Sequence, residues 1–273
     1  MDLSYIIIPV ISLGGMALIF GAILAVASEK FKVEVDQRII DIRAVLPGAN
    51  CGGCGFPGCD GYANAVVSGA AKSNGCPVCS SEIAAQIAAI MGDIVETCEK
   101  QIAHVICKGG CDNSQADFEY FGIKSCKAAN RIKGGSKSCK AGCLGLGTCV
   151  LVCPFDAIKI DENRLAVVDP EKCTGCKQCV EECPKHVIEM IPASQQVIIN
   201  CNNKEPGKIV RQICSVGCIG CKICVKACPH EAIGFENNLA KIDYEKCTNC
   251  GVCVQKCPTK IIWGPPEIID EVG

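Results

Sequence analysis

Aromatic residues make up only 4% of this 273-residue sequence, and there is one tryptophan, Trp263, so a large conventional hydrophobic core is not expected. Basic residues are not in excess: the formal net charge is −2, which argues against nucleic-acid binding. There is no Rossmann dinucleotide-binding fingerprint, no flavin motif and no acid–base pair in a recognisable setting, so the chain alone is not expected to transform an organic substrate. The three histidines, His104, His186 and His230, stand apart from one another and are given no role. No lysine or arginine precedes the first apolar run, and that run itself carries no charge.

The run extends from Tyr5 to Ser28. As a helix it would be about 36 Å long, enough to cross a hydrocarbon core of about 30 Å. A cleaved signal peptide would have a shorter apolar region behind a basic start. Lys30, Lys32, Arg38 and Arg43 follow the run, a charge asymmetry that places everything after it in the cytoplasm. With one such helix and no charge inside it, the chain has no ion pathway of its own. Ala17, Gly21 and Ala25 recur every four residues, a stripe on which another membrane helix could pack.

Cysteine is the abundant residue, 27 in all. An odd count in a reducing compartment disfavours a disulfide framework, and the spacings point to metal clusters instead. Residues 126–184 carry cysteines at 126, 139, 143, 149, 153, 173, 176, 179 and 183; residues 201–258 carry them at 201, 214, 218, 224, 228, 247, 250, 253 and 257. One unit has been duplicated, each unit being itself two half-units, and only Cys221 lacks a counterpart: Leu146 stands there.

In the second unit, Cys-x2-Cys-x2-Cys-x3-Cys-Pro occurs twice, the bacterial two-cluster ferredoxin pattern. The fourth cysteine of each run serves the other cluster. The expected ligand sets are therefore Cys218, Cys221, Cys224 and Cys257, and Cys247, Cys250, Cys253 and Cys228. In the first unit the same rule gives Cys173, Cys176, Cys179 and Cys153. Its partner set has Cys143, Cys149 and Cys183, with Cys139 expected to stand in for Leu146. Upstream, Cys51, Cys54, Cys59 and Cys76 lie among glycines and turn residues that let backbone approach a cube; a four-cysteine zinc site is the competing reading. Cys107, Cys111 and Cys126, completed by Cys201 or Cys214, are a candidate sixth set, while Cys79 and Cys98 read as small hydrophobes. At least five 4Fe–4S clusters are expected.

The fold class is α+β: a transmembrane anchor (1–28), a small helical cluster domain (29–95), a cysteine-containing connector (96–135), two ferredoxin-like modules (136–195 and 196–266) and a tail (267–273). AIKIDENRLAVVD and AIGFENNLAKID read as hairpins within the modules. Six basic residues, Lys124, Lys127, Arg131, Lys133, Lys137 and Lys140, fall in a stretch free of acidic residues from 120 to 155 and could form a docking patch for an acidic partner.

An N-terminal membrane helix, then CGGCGFPGC-x16-CPV, then ferredoxin modules containing CLGLGTCVLVCPFDAI, resembles the B-subunit family of Rnf complexes along nearly the whole chain. The resemblance implies an electron-transfer subunit that oxidises reduced ferredoxin. Partner membrane and flavin subunits would then reduce NAD+ and move Na+ or H+. A membrane-tethered polyferredoxin feeding another reductase or a hydrogenase is the alternative.

Overall fold

The computed structural model describes residues 4–31, 36–93 and 99–265; Lys32, Cys98 and the expected tail lie outside these. Helix α1 (Ser4–Lys30) is continuous over 27 residues, about 40 Å at 1.5 Å per residue. Among the described residues nothing covers its apolar stretch Val10–Lys30, and Leu18 is 77% exposed. Length and composition suit a membrane span.

Three helices build the small domain: α2 (Gln37–Val45), α3 (Gly58–Val67) and α4 (Ser81–Met91). The Asp36 carboxylate accepts from the Arg38 N–H at the start of α2, and the Ser80 hydroxyl accepts from the Ile83 N–H at the start of α4. Gly92, in the left-handed region, ends α4. Ile42, Tyr62 and Ile87 from the three helices form a fully buried centre.

The rest consists of two modules of short elements. The first has β1 (Gln101–Val105), α5 (Cys126–Asn130), α6 (Thr148–Leu151), β2 (Ile158–Ile160), β3 (Ala166–Val168), α7 (Gln178–Glu182) and β4 (Ile188–Pro192). The second has β5 (Ile198–Ile199), α8 (Gly207–Ile213), α9 (Ile223–Ala227), β6 (Ile233–Glu236), β7 (Leu239–Ile242), α10 (Val252–Lys256) and β8 (Ile262–Trp263). Among the described residues the strands form four antiparallel pairs: β1–β4, β2–β3, β5–β8 and β6–β7. The two inner hairpins fall where the alternating segments place them. β6 and β7 are joined by Asn237 and Asn238, both at positive φ, the two-residue turn whose twist matches a hairpin.

The outer pairs redraw one expected boundary. β1 lies in the stretch read as a connector, yet it pairs with β4 from Gln101↔Pro192 to Val105↔Ile188, as β5 pairs with β8. The first module thus begins near residue 101, and residues 106–138 are an insertion between its first strand and its cluster loops.

Helices α6, α7, α9 and α10 are only four or five residues long, each preceded by a left-handed residue: Gly147, Lys177, Lys222 and Gly251. That reversal turns the chain before the helix that carries Cys149, Cys179, Cys224 or Cys253. These cysteines are buried in the same apolar clusters as the strand residues, so the cores are built around sulfur.

Candidate metal centres

In the second module a cavity of about 380 Å³ is lined by Cys218, Cys221, Cys224 and Cys257, and one of about 320 Å³ by Cys228, Cys247, Cys250 and Cys253. In the first, a cavity of about 310 Å³ is lined by Cys153, Cys173, Cys176 and Cys179. The crossing of the fourth cysteine to the opposite set is visible in all three.

The fourth cavity, about 350 Å³, departs from the sequence reading. It is lined by Cys126, Cys143, Cys149 and Cys183, and Cys139 is not there. The reason is local. Ser125 caps α5, and the Cys126 N–H donates to Thr148 Oγ1 at 2.7 Å, which ties the start of α5 to the start of α6 and sets Cys126 beside Cys149. Gly145 holds the tight turn of the CLGLG loop at φ +67; a Cβ there would lie 2.1 Å from the Arg164 carbonyl oxygen.

Backbone amides approach the sulfurs. The N–H groups of Ala103, Ala157 and Ala232 donate to Sγ of Cys173, Cys153 and Cys228, each at 3.4 Å. Burial, aided by neighbouring sulfurs, pushes the thiols of Cys149, Cys179 and Cys253 up to about 12 and Cys224 to about 11. Four thiols facing one another in an apolar cavity are poorly placed to ionise alone, and bound iron would reverse that. Among the described residues no three Cys, His, Asp or Glu side chains converge as a single metal ion requires. The sulfurs instead surround volumes of similar size, which suits a multi-iron cube better than zinc. Thr174 Oγ1, on the wall of the Cys153 cavity, is buried with no hydrogen-bond partner, a donor free for a cluster sulfide.

In the small domain, Asn50 Oδ1 accepts from the Cys59 N–H at 2.8 Å, tying the Cys51 loop to α3. The Tyr62 hydroxyl donates to the Lys72 carbonyl at 2.7 Å and accepts from the Gly75 N–H at 3.0 Å. This folds the 72–76 loop over α3 and brings Cys76 into the core that contains Cys54 and Cys59. Burial pushes the tyrosine up to about 12. Cys79 is there too, and its hydrogen bond with Cys76 lowers the Cys76 thiol. The domain docks on the first module through Gly53, where a Cβ would lie 2.6 Å from the Cys176 carbonyl oxygen, and Gln178 Nε2 donates to the Cys51 carbonyl.

Cys111 is exposed and lines none of these cavities. The basic stretch is less open than its sequence implies. Lys137 is buried and donates to the Gly109 carbonyl, Lys140 pairs with Asp117, and Lys127 pairs with Glu182. Lys124, Arg131 and Lys133 remain exposed, next to Phe121 and Ile123, which are 83% and 76% exposed.

Comparison with known proteins matches residues 46–78 to the family described as "Putative Fe-S cluster", and residues 138–190, 172–233 and 217–261 to "4Fe-4S dicluster domain" families. The chain is 52% identical over 244 residues to the B subunit of the Na(+)-translocating ferredoxin:NAD(+) oxidoreductase complex of Acetobacterium woodii, covering 89% of this chain and 73% of that one. It is 44% identical over 229 residues to the B subunit of the proton-translocating ferredoxin:NAD(+) oxidoreductase complex of Clostridium ljungdahlii, covering 84% and 81%. It is 43% identical over 243 residues to the B subunit of the ion-translocating oxidoreductase complex of Methanosarcina acetivorans, covering 89% and 92%.

Proposed function

The chain belongs to the B-subunit family of ion-translocating ferredoxin:NAD+ oxidoreductase complexes, and from that premise we propose how its residues serve the electron-transfer role of such a protein. Five sets hold 4Fe–4S clusters: Cys51, Cys54, Cys59 and Cys76; Cys153, Cys173, Cys176 and Cys179; Cys126, Cys143, Cys149 and Cys183; Cys218, Cys221, Cys224 and Cys257; and Cys228, Cys247, Cys250 and Cys253. The observation that carries this assignment is the lining of four similar cavities by four cysteines each. When bound, the clusters supply reversible one-electron chemistry.

The protein's part is to bind and tune. Cysteine sulfurs supply the iron ligands, and amides such as Ala157 N–H stabilise the more negative, reduced state. The apolar walls limit water, and the contact of Gly53 with Cys176 holds the small domain against the first module.

Reduced ferredoxin is the donor, and the membrane and flavin subunits of the complex are the acceptors, with NAD+ as the final oxidant. α1 anchors the chain, and Lys30, Arg38 and Arg43 keep the soluble part on the cytoplasmic side. Mixing the anaerobically prepared full chain with reduced ferredoxin should bleach its visible absorption and produce cluster EPR signals. A chain that stays oxidised, or whose C-terminus is labelled from outside intact cells, would overturn the donor or the orientation.

A further inference from the structure

Between the two modules lies another cavity, of about 360 Å³, lined by Cys107, Cys139, Cys201 and Cys214. No single family match spans it. Cys139 falls within 138–190, Cys201 and Cys214 within 172–233, and Cys107 before all of the dicluster matches. We infer that these four cysteines hold a sixth 4Fe–4S cluster that bridges the two ferredoxin-like modules. The inference rests on the same cluster reading as the other five sites, but on separate residues.

The cavity has the features of the others. Its volume falls within their range of 310–380 Å³. Its sulfurs receive N–H donors: Cys143 N–H reaches Cys107 Sγ at 3.3 Å, Cys218 N–H reaches Cys201 Sγ at 3.4 Å, and Asn203 Nδ2 reaches Cys139 Sγ at 3.4 Å. A Cβ on Gly109 would lie 3.2 Å from Cys214 Sγ and 3.9 Å from Cys107 Sγ, so the chain passes close to both sulfurs.

Two further groups point to an anionic occupant. Two buried side-chain oxygens lack a hydrogen-bond partner among the described residues. One is Thr174 Oγ1, in the Cys153 cavity; the other is Ser114 Oγ, on the wall of this one. Lys137 does not line the cavity itself, but it is only 7% exposed and its ammonium donates at 2.6 Å to the carbonyl of Gly109, which does. None of the ion pairs among the described residues includes it. A buried ammonium without a counter-charge is costly, and an iron–sulfur cube with four thiolates, net negative, would offset it.

The duplication explains the origin of the ligands. Cys139 and Cys214 are equivalent in the two units, and both line the bridge. Cys126 and Cys201 are also equivalent, but their uses differ. In the first unit Leu146 replaces a motif cysteine and Cys126 fills the gap. In the second, Cys221 is present and Cys201 is free to turn to the bridge. Of the candidate set read from sequence, Cys107, Cys201 and Cys214 remain, while Cys111 and Cys126 do not.

The test is iron and acid-labile sulfide content of the anaerobically purified full chain, with EPR. Six clusters of four irons give about 24 Fe. The double variant Cys201→Ser/Cys214→Ser should fall to about 20 Fe with the ferredoxin-type signals of both modules intact, and Cys111→Ser should stay at about 24. A wild-type content of about 20 Fe, unchanged in the double variant, would remove the bridge and leave the five other clusters standing. A wild-type content well below that would overturn the ferredoxin assignment itself. Ser114→Ala, a small change that keeps every ligand, should shift the midpoint potential of one cluster to more negative values. A redox titration in which no cluster moves would contradict an occupant facing Ser114.

Discussion

The backbone N–H of Cys143 donates to the sulfur of Cys107 at 3.3 Å, so one peptide forms a wall of two neighbouring cavities. The Cys218 N–H does the same for Cys201 on the opposite side. With the contact of Gly53 on Cys176 at the other end, the sites form a series. It runs from the small domain, through the Cys153 and Cys126 cavities, across the bridge, to the second module.

The two cysteines whose roles the structure exchanges give the first prediction. Cys126→Ser should cost one cluster of the first module, or leave a three-iron centre there, and abolish magnetic coupling within that module's pair. Cys139→Ser should preserve the coupling and affect only the bridge. EPR of the two variants checks this, and loss of the first-module coupling in Cys139→Ser would restore the sequence-based assignment.

Gly53 supplies the second. Its missing Cβ would collide with the Cys176 backbone, which has little room to yield. Gly53→Ala should weaken docking of the small domain by about 1–3 kcal/mol, the usual cost of overpacking. Limited proteolysis of the small domain should accelerate while the two modules keep their iron. An unchanged cleavage rate would mean that the contact relaxes freely.

A third prediction concerns ferredoxin. Lys124, Arg131 and Lys133 are exposed beside Phe121 and Ile123, a basic surface with an apolar component. Reversing all three to Glu should slow reduction by ferredoxin at low salt and flatten its salt dependence. Lys137→Met should instead lower iron content, because that side chain faces inward. An unaltered salt profile in the triple variant would place docking elsewhere.

The anchor gives the fourth. Among the described residues, the apolar stretch of α1 packs on nothing in the rest of the chain. Removing residues 1–28 should leave a soluble protein with full iron content that no longer co-purifies with the membrane subunits. Loss of iron in the truncated chain would show that α1 supports the cluster domains.

Much of this architecture was legible because the motifs are local. Three cysteines two residues apart with a trailing Cys-Pro report their own loop and helix, and the asparagine pair at 237–238 reports its hairpin. What the sequence hid depends on distant contacts. β1 was obscured because its partner β4 begins 83 residues after β1 ends. Cys139 looked like the substitute for Leu146 because it is near in sequence. Cys126 reaches the cavity only because α5 folds back onto Thr148. The duplication held a clue, since Cys126 aligns with Cys201, but the two cysteines serve different cavities and equivalence alone could not separate them. Lys137 reads as one of six surface cations until the insertion folds around it.

The most direct measurement is an iron-edge anomalous difference map of the full chain, prepared and crystallised without oxygen. Iron density is expected at six sites, one of them among Cys107, Cys139, Cys201 and Cys214 and another among Cys126, Cys143, Cys149 and Cys183. Single-atom zinc peaks, or density in the modules with none between them, would contradict this assignment.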